Sequence, residues 1–282
     1  MVYFLVKKRE ELPDSQGRRM SPKLDGFYLR LFAFPQIHES PRRNSPMNPT
    51  LECMMKRKSV RAFEDRPIGP EEKQAILQAA MRAPTAGNSM LYSILDVTDP
   101  TLKEKLSETC DHQPFIAKAP MVWVFLADYR RWVRKFQQAG CENIPNPRLS
   151  DLILATNDAV IAAHSACVAA ESLGIGSCYI GDIIEQWEEH QKMFQLPPFV
   201  APVSMLVFGY PTQLQKDRRQ TSRFPQKMIV MENGYHDLTE EELQEFYPDD
   251  KAQAFYNRKY VSDFAWEMDR SAQEILKNWE GK

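Results

Sequence analysis

The amino-acid sequence predicts a mixed α+β fold, and three observations lead to this prediction. Residues 120–126 and 203–210 are apolar runs with the length of strands that are covered on both faces. Residues 149–173 form a long alanine-rich helix pattern with almost no polar face. The predicted strands and helices do not alternate as regular βαβ units, and no GxGxxG motif follows a strand. A doubly wound dinucleotide-binding fold is therefore not expected.

Local patterns place the remaining elements in chain order. A short helix at 48–56 precedes a basic segment, and residues 70–82 form an amphipathic helix with Glu71 and Glu72 in its first turn. Turn-forming residues at 83–88 end that helix. The other expected elements are a strand at 91–97, a helix at 101–109, an irregular polar stretch at 132–147, a turn and short strand at 174–181, a surface helix at 182–194, a loop at 196–200, and terminal helices at 238–247 and 263–279.

Residues 149–173 carry the strongest helix signal in the chain. A helix that is apolar all round is usually buried, and its alanines allow another helix to approach closely. The pattern predicts either a core helix of this chain or a dimer interface. His164 within it is expected to be a hydrogen-bonded core histidine rather than a catalytic group.

Residues 1–46 differ in composition from the rest of the chain. They hold nine Lys and Arg against five Asp and Glu, and five of the 20 prolines. We expect a disordered basic extension; the alternative is a nucleic-acid-binding arm, but no aromatic stacking platform accompanies the charge. Residues 47–235 are expected to form the main domain. Residues 236–282 are expected to form a C-terminal helical extension that packs on this domain or on a dimer partner.

Composition excludes several classes of protein. The chain has 282 residues, 43% hydrophobic and 26% charged, which is ordinary for a globular protein. Its formal net charge of −2 gives no electrostatic reason to expect nucleic acid or a membrane surface as a partner. We expect no membrane span, because apolar runs fall short of roughly 20 residues. The five cysteines are widely spaced without a CxxC motif, which favours reduced thiols in the cytoplasm and no metal site.

The basic segment at 57–61 is the feature that indicates a ligand. It consists of Arg57, Lys58, Ser59, Val60 and Arg61. Arginine offers forked donors, lysine a point charge and serine a short hydroxyl donor, so the set suits one dianionic phosphate. The alternative is an ordinary solvated basic segment.

Later segments make this pattern resemble the FMN-dependent nitroreductase family. R-K-S-V-R-A-F at 57–63 is followed by P-I and then by A-P-T-A-G-N at 83–88. From about residue 48 to residue 233, the order and spacing are similar to the larger NADPH-preferring branch of that family. The resemblance implies a mixed sheet flanked by helices, an intertwined homodimer with two interface sites, and bound FMN.

The resemblance also implies which residues contact FMN. The side chains of Arg57, Lys58, Ser59 and Arg61, with the backbone of Val60, would hold the phosphate and ribityl chain. Arg61 would also stabilise negative charge on the flavin ring by Coulomb attraction. The remaining implied cofactor-binding residues are Ala86, Gly87 and Asn88 from across the dimer interface, Gln113 near the ribityl chain or ring, Tyr179, Ile180, Gly181 and Asp182 at the flavin's pyrimidine edge, and Arg223 as a second cationic contact.

Two positions depart from the family pattern. Asp182 replaces a glycine, and Thr221 stands where the family has a lysine two residues before the arginine matched by Arg223. Which nearby base supplies the missing charge stays open; the choices are Lys216, Arg218 and Arg219.

The chemistry implied by the resemblance belongs to the flavin, and no residue resembles a nucleophile with an adjacent base. The expected mechanism is ping-pong: NAD(P)H delivers hydride to FMN, and then a nitroaromatic, a quinone or free flavin accepts it. Arg258 and Lys259 are candidates for holding the NADPH 2′-phosphate by location only. The alternatives are a non-catalytic flavin carrier or sensor, and relatives that cleave flavin or reductively dehalogenate aromatics. The preferred nucleotide and the physiological acceptor are not readable from these residues.

Overall fold

A four-stranded sheet lies at the centre of the computed structural model, which describes residues 48–282 apart from the side chain of Asp250. The expected basic extension at 1–46 lies outside the described residues. The strands are β1 (Tyr92–Asp96), β2 (Met121–Asp128), β3 (Gly176–Ile180) and β4 (Val200–Gly209).

The strands pair antiparallel in the order β1-β2-β4-β3. Residues 121–127 of β2 are all buried, as their uninterrupted apolar sequence predicts. Among the described residues, parallel pairing occurs at an isolated bridge between Ser59 and Ser177. There the basic segment at 57–61 crosses β3. The predicted α+β class is confirmed.

Eleven helices in the described part of the chain surround this sheet. They are α1 (Pro49–Lys56), α2 (Pro70–Met81), α3 (Pro100–Thr109), α4 (Phe115–Lys118), α5 (Arg130–Gln138), α6 (Leu149–Ser172), α7 (Trp187–Phe194), α8 (Gln213–Asp217), α9 (Glu240–Phe246), α10 (Asp249–Lys259) and α11 (Asp263–Glu280).

Several elements differ from the sequence expectation. Helix α5 occupies part of the stretch expected to be irregular, because Val133 is buried and Trp132 donates from Nε1 to the carbonyl of Ser89 at 2.7 Å. Helix α10 follows α9, in a stretch for which no element was predicted. Helix α7 begins at Trp187 rather than at 182, because Gln186 adopts a left-handed backbone conformation with φ of 46°. Strand β4 begins within the loop expected at 196–200.

Helix α6 has two apolar faces, and only one of them is covered. Its alanine face is buried and contacts α2 and the sheet. The opposite face exposes Leu149, Ile153, Leu154, Val160 and Ile161. His164 is exposed, so the expectation of a core histidine is wrong.

By length and composition alone, α6 is long and apolar enough to cross a bilayer, although polar residues interrupt its apolar sequence. Its alanine face packs against α2 and β2, as the core helix of a globular protein does.

Helix α11 packs on the main body of the chain. Trp279 is fully buried and donates from Nε1 to the carbonyl of Arg148 at 3.1 Å. Ser271 is also buried, and its Oγ accepts a hydrogen bond from the backbone N–H of Trp187 at 3.1 Å. The boundary expected between residues 235 and 236 stays a prediction.

Candidate functional site

The basic segment lies across the ends of β3 and β4. The Val60 N–H donates to the carbonyl of Ser177 at 2.9 Å, and the Glu64 N–H donates to the carbonyl of Tyr210 at 2.8 Å. Gly176 makes this close approach possible, since a Cβ there would lie 2.5 Å from Cγ2 of Val60. The sheet edge therefore fixes the backbone from which the basic side chains project.

These side chains line a cavity of about 430 Å³. Among the described residues that line it, four are arginines, one is a lysine and none is acidic. Such a concentration of cations and hydroxyls favours an anionic ligand. The lining residues are Met54, Met55, Arg57, Lys58, Ser59, Arg61, Arg218, Gln220, Thr221 and Arg223.

The hydrogen bonding of the Arg57 side chain indicates whether this cavity suits a phosphate. Its Nη1 is buried and has no hydrogen-bond partner among the residues that the structure describes. Leaving a buried charged donor unpaired costs more than leaving a neutral one, so the position favours an incoming acceptor. A phosphate oxygen would satisfy this donor, and FMN carries such a phosphate.

The loop at 216–220 is tied over the basic segment. Lys58 donates from Nζ to the carbonyls of Lys216 and Arg218, each at 2.6 Å. Gln220 donates from Nε2 to the carbonyl of Met55 at 2.7 Å and to that of Arg57 at 3.1 Å. The two halves of the cavity wall are thus held together by hydrogen bonds to backbone carbonyls.

The three bases left open by the sequence occupy different places. Arg218 lines the cavity, and its Nη2 donates to the carbonyl of Ser59. Lys216 instead pairs with Glu64 at 2.8 Å. Arg219 is exposed and does not line the cavity.

Arg61 and Arg223 are exposed members of the cavity wall. The guanidinium carbon of Arg61 lies 5.9 Å from the ring centre of Phe115. Arg223 donates from Nη1 to Oγ1 of Thr221 at 2.7 Å. Thr221, which stands where the family has a lysine, therefore orients this arginine.

The other predicted cofactor-binding residues do not line this cavity. At the end of β3, Gln113 donates from Nε2 to Oδ2 of Asp182 at 2.7 Å and to the carbonyl of Cys110 at 2.8 Å. Asp182, which replaces a family glycine, therefore fixes the orientation of Gln113. Burial raises the pKa of the Tyr179 hydroxyl, so that side chain stays neutral.

The loop that carries Ala86, Gly87 and Asn88 is held by a residue that the sequence analysis missed. Asp158 on α6 is 2% exposed and accepts from the N–H of Ala86 at 2.8 Å and from the N–H of Leu91 at 3.1 Å. An acidic residue in the middle of an apolar helix is the signal that could have identified it, because a buried carboxylate requires donors. Both Gly87 and Asn88 have φ of 56°.

The described residues offer no metal cluster, and their buried thiols are not activated. Within 48–282 there is no group of three or more His, Cys, Asp or Glu that could hold a metal ion. All five cysteines lie in this part of the chain and are free. Burial raises the pKa of the Cys167 and Cys178 thiols, which keeps both protonated.

Comparisons with known proteins identify the family of this chain. Residues 54–210 match the model of the nitroreductase family. The chain is 31% identical over 198 residues to the FMN reductase (NADPH) of Bacillus subtilis, covering 69% of this chain and 78% of the relative. It is 31% identical over 208 residues to the oxygen-insensitive NADPH nitroreductase of Salmonella typhimurium, covering 71% and 83%.

A solved structure shows the same fold. The NfrA1 nitroreductase of Bacillus subtilis superposes with a TM-score of 0.68 at 26% identity, covering 82% of this chain and 97% of that one. The family model spans more than half of the chain, and the relatives match it over about 70% of its length. This chain belongs to the nitroreductase family.

Proposed function

We propose that this protein is an FMN-dependent oxidoreductase that takes hydride from NAD(P)H and passes it to nitroaromatics, quinones or flavins. Family membership supports the reaction class, and the names of the relatives specify FMN and NADPH. The observation that carries the proposal is the cationic cavity lined by Arg57, Lys58, Arg61, Arg218 and Arg223, together with the unpaired buried Nη1 of Arg57. When bound, FMN supplies the ring that accepts and donates hydride.

The residues of the cavity hold the cofactor's phosphate in this proposal. Arg57 and Ser59 donate from the basic segment, and Arg223 donates from the opposite wall. Lys58 adds positive charge but directs its Nζ to two backbone carbonyls, so its main role is to hold the loop closed. Val60 contributes its backbone, which is fixed against Ser177.

Arg218 takes the place of the family lysine. It lines the cavity, whereas Lys216 is paired with Glu64 and Arg219 faces solvent. Arginine has more donors than lysine and its guanidinium is planar, so it can serve the Ser59 carbonyl and a phosphate oxygen together.

The pyrimidine side of the flavin is assigned to the end of β3. Gly181 leaves open space where a side chain would stand, and Gln113 and Asp182 lie beside it. Arg61, exposed at the cavity rim, supplies positive charge for negative charge that develops on the ring.

A homodimer completes the proposal. The exposed apolar side chains of α6 lie together on one face, whereas exposed hydrophobic residues on ordinary surfaces are scattered singly. A second copy that covers this face would remove it from water. The second copy would bring Ala86, Gly87 and Asn88 to the other chain's flavin. The free cysteines support a reducing compartment, and the proposed location is the cytoplasm.

The test combines cofactor binding with anaerobic reduction. The purified protein is titrated with FMN, its visible spectrum is recorded, and NADPH and NADH are then added separately without oxygen. We expect bound flavin that bleaches within seconds, with the faster nucleotide identifying the donor. Failure to bind FMN would refute the proposal, and bound flavin that neither nucleotide reduces would indicate a carrier or sensor.

A pair of arginine variants tests the cavity assignment. Arg218→Ala should weaken FMN binding by roughly 10- to 100-fold, because one charge-assisted hydrogen bond is worth about 1.5–3 kcal/mol. Arg219→Ala removes the same charge one residue away, outside the cavity, and should bind FMN as the wild type does. Equal losses in the two variants would mean that only the overall charge of the loop matters.

A further inference from the structure

A buried acid lies beside the proposed flavin edge. Glu185 follows the turn after β3 and is 6% exposed, and its Oε1 is buried with no hydrogen-bond partner among the described residues. Its backbone N–H donates to the carbonyl of Asp182 at 3.1 Å, so the two acids belong to one turn. A buried and unpaired carboxylate costs far more free energy than a neutral carboxylic acid in the same place.

The charged groups that face Glu185 are acidic. Asp182 lies on the same turn, Asp111 follows α3, and Glu267 projects from α11. Cations near these elements are already engaged. Arg270 on α11 pairs with Glu267, and with Glu188 on α7, each at 2.8 Å.

The remaining titratable neighbours do not supply a positive charge. Lys105 of α3 pairs with Glu189 at 3.0 Å. His190 of α7 is fully buried, and burial lowers its pKa, so the ring is neutral at pH 7. Its two ring nitrogens are occupied by Oγ1 of Thr109 at 2.8 Å and the carbonyl of Ile183 at 3.0 Å.

We propose that Glu185 is a neutral carboxylic acid at pH 7 and that its neutrality lets Asp182, on the same turn, position Gln113 at the cofactor edge. Burial and the charges of Asp182 and Asp111 raise the pKa of Glu185 to about 8. Asp182 accepts a hydrogen bond from Nε2 of Gln113 at 2.7 Å. Glu185 is a positioning residue that acts through Asp182.

The protonation of Glu185 makes cofactor binding dependent on pH. Above the pKa of Glu185, a second negative charge appears on the turn, and the two carboxylates repel each other. The Asp182 side chain then moves from its position against Gln113, and the charge beside the flavin becomes more negative. Affinity for FMN falls in consequence. This inference rests on the proposed function, since it takes FMN as the occupant.

Infrared spectroscopy tests whether Glu185 is protonated at pH 7 without reference to the cofactor. At pH 7, the difference between wild type and Glu185→Gln should contain the carbonyl band of a protonated carboxylic acid, which disappears as the pH rises past 8. In Asp182→Asn the band should disappear at lower pH, because the neighbouring negative charge has gone. A wild type without the band at pH 7 would overturn the proposal, whether or not the protein binds FMN.

Cofactor titration tests the positioning role. Between pH 7 and pH 9, the FMN affinity of the wild type should fall by up to about tenfold. This limit applies because one linked proton changes the affinity by at most about tenfold per pH unit. Glu185→Gln should lose less than about twofold over the same range. Glu108→Gln, an exposed acid on α3, is the control and should follow the wild type. Parallel pH profiles of wild type and Glu185→Gln would refute the role. If Glu185→Gln does not fold, the Asp182→Asn shift in the infrared band decides.

Discussion

Replacing Asp158 by alanine should destabilise the fold and loosen the 86–91 loop together. Asp158 is 2% exposed, and its two oxygens accept from the N–H groups of Ala86 and Leu91. The substitution leaves both donors without an acceptor, and each buried unsatisfied group costs about 1–3 kcal/mol. The expected loss in the free energy of unfolding is therefore about 2–6 kcal/mol, with the larger share from Leu91, whose side chain is 5% exposed.

Urea denaturation followed by circular dichroism measures this loss. Asp158→Asn should retain one accepting oxygen and lose about half as much, since its amide nitrogen cannot accept. Asn157→Ala is the matched control, because Asn157 is the exposed neighbour on the same helix. An Asp158→Ala variant whose unfolding free energy lies within about 0.5 kcal/mol of that control would refute the reasoning.

Three further predictions concern the sheet edge, the helix face and the buried acid. Gly176→Ala should cost about 1–3 kcal/mol in urea unfolding, since its Cβ would overlap Val60, and an unchanged midpoint would contradict the packing. Ile161→Asp should shift the sedimentation coefficient to that of a monomer while Leu214→Asp, at an exposed site on α8, does not; equal behaviour would argue against the α6 interface. Stability should fall as pH rises from 4.5 to about 8, because folded Glu185 binds a proton that the unfolded chain has released; Glu185→Gln should lack this slope.

The parts of the fold that were predicted have their cause in nearby residues. The strand at 120–126 and the helix at 149–173 can be recognised in the sequence, because burial requires apolar side chains at consecutive or periodic positions. Helix α5 was missed because its nine residues are mostly basic or polar, and its few apolar side chains become informative only once the sheet lies beneath them. The start of β4 was missed because Pro202 lacks an N–H; the register shift between Phe125 and Leu126 of β2 accommodates it.

The candidate site also contains residues that the sequence predicts and residues that only the structure identifies. The basic segment was found from sequence because its cations are adjacent in the chain. Asp158 was not identified, and Arg218 could not be chosen over Lys216 and Arg219, because each acts through contacts with residues far away in the sequence. The 2.6 Å contacts of Lys58 with two carbonyls likewise could not be read from composition, which predicted only that its charge suits a phosphate.

Those contacts also determine when, during its own synthesis, the protein can take up its cofactor. Lys58 and the carbonyls that it binds are separated by 158 and 160 residues. A ribosome that has made the basic segment has therefore made only one wall of the proposed phosphate pocket. The second wall emerges after β4 and α8, and the loop can close only once both have left the exit tunnel. Retention of FMN is thus a late event in biogenesis, and a nascent chain stalled before α8 would release the cofactor that the finished chain keeps.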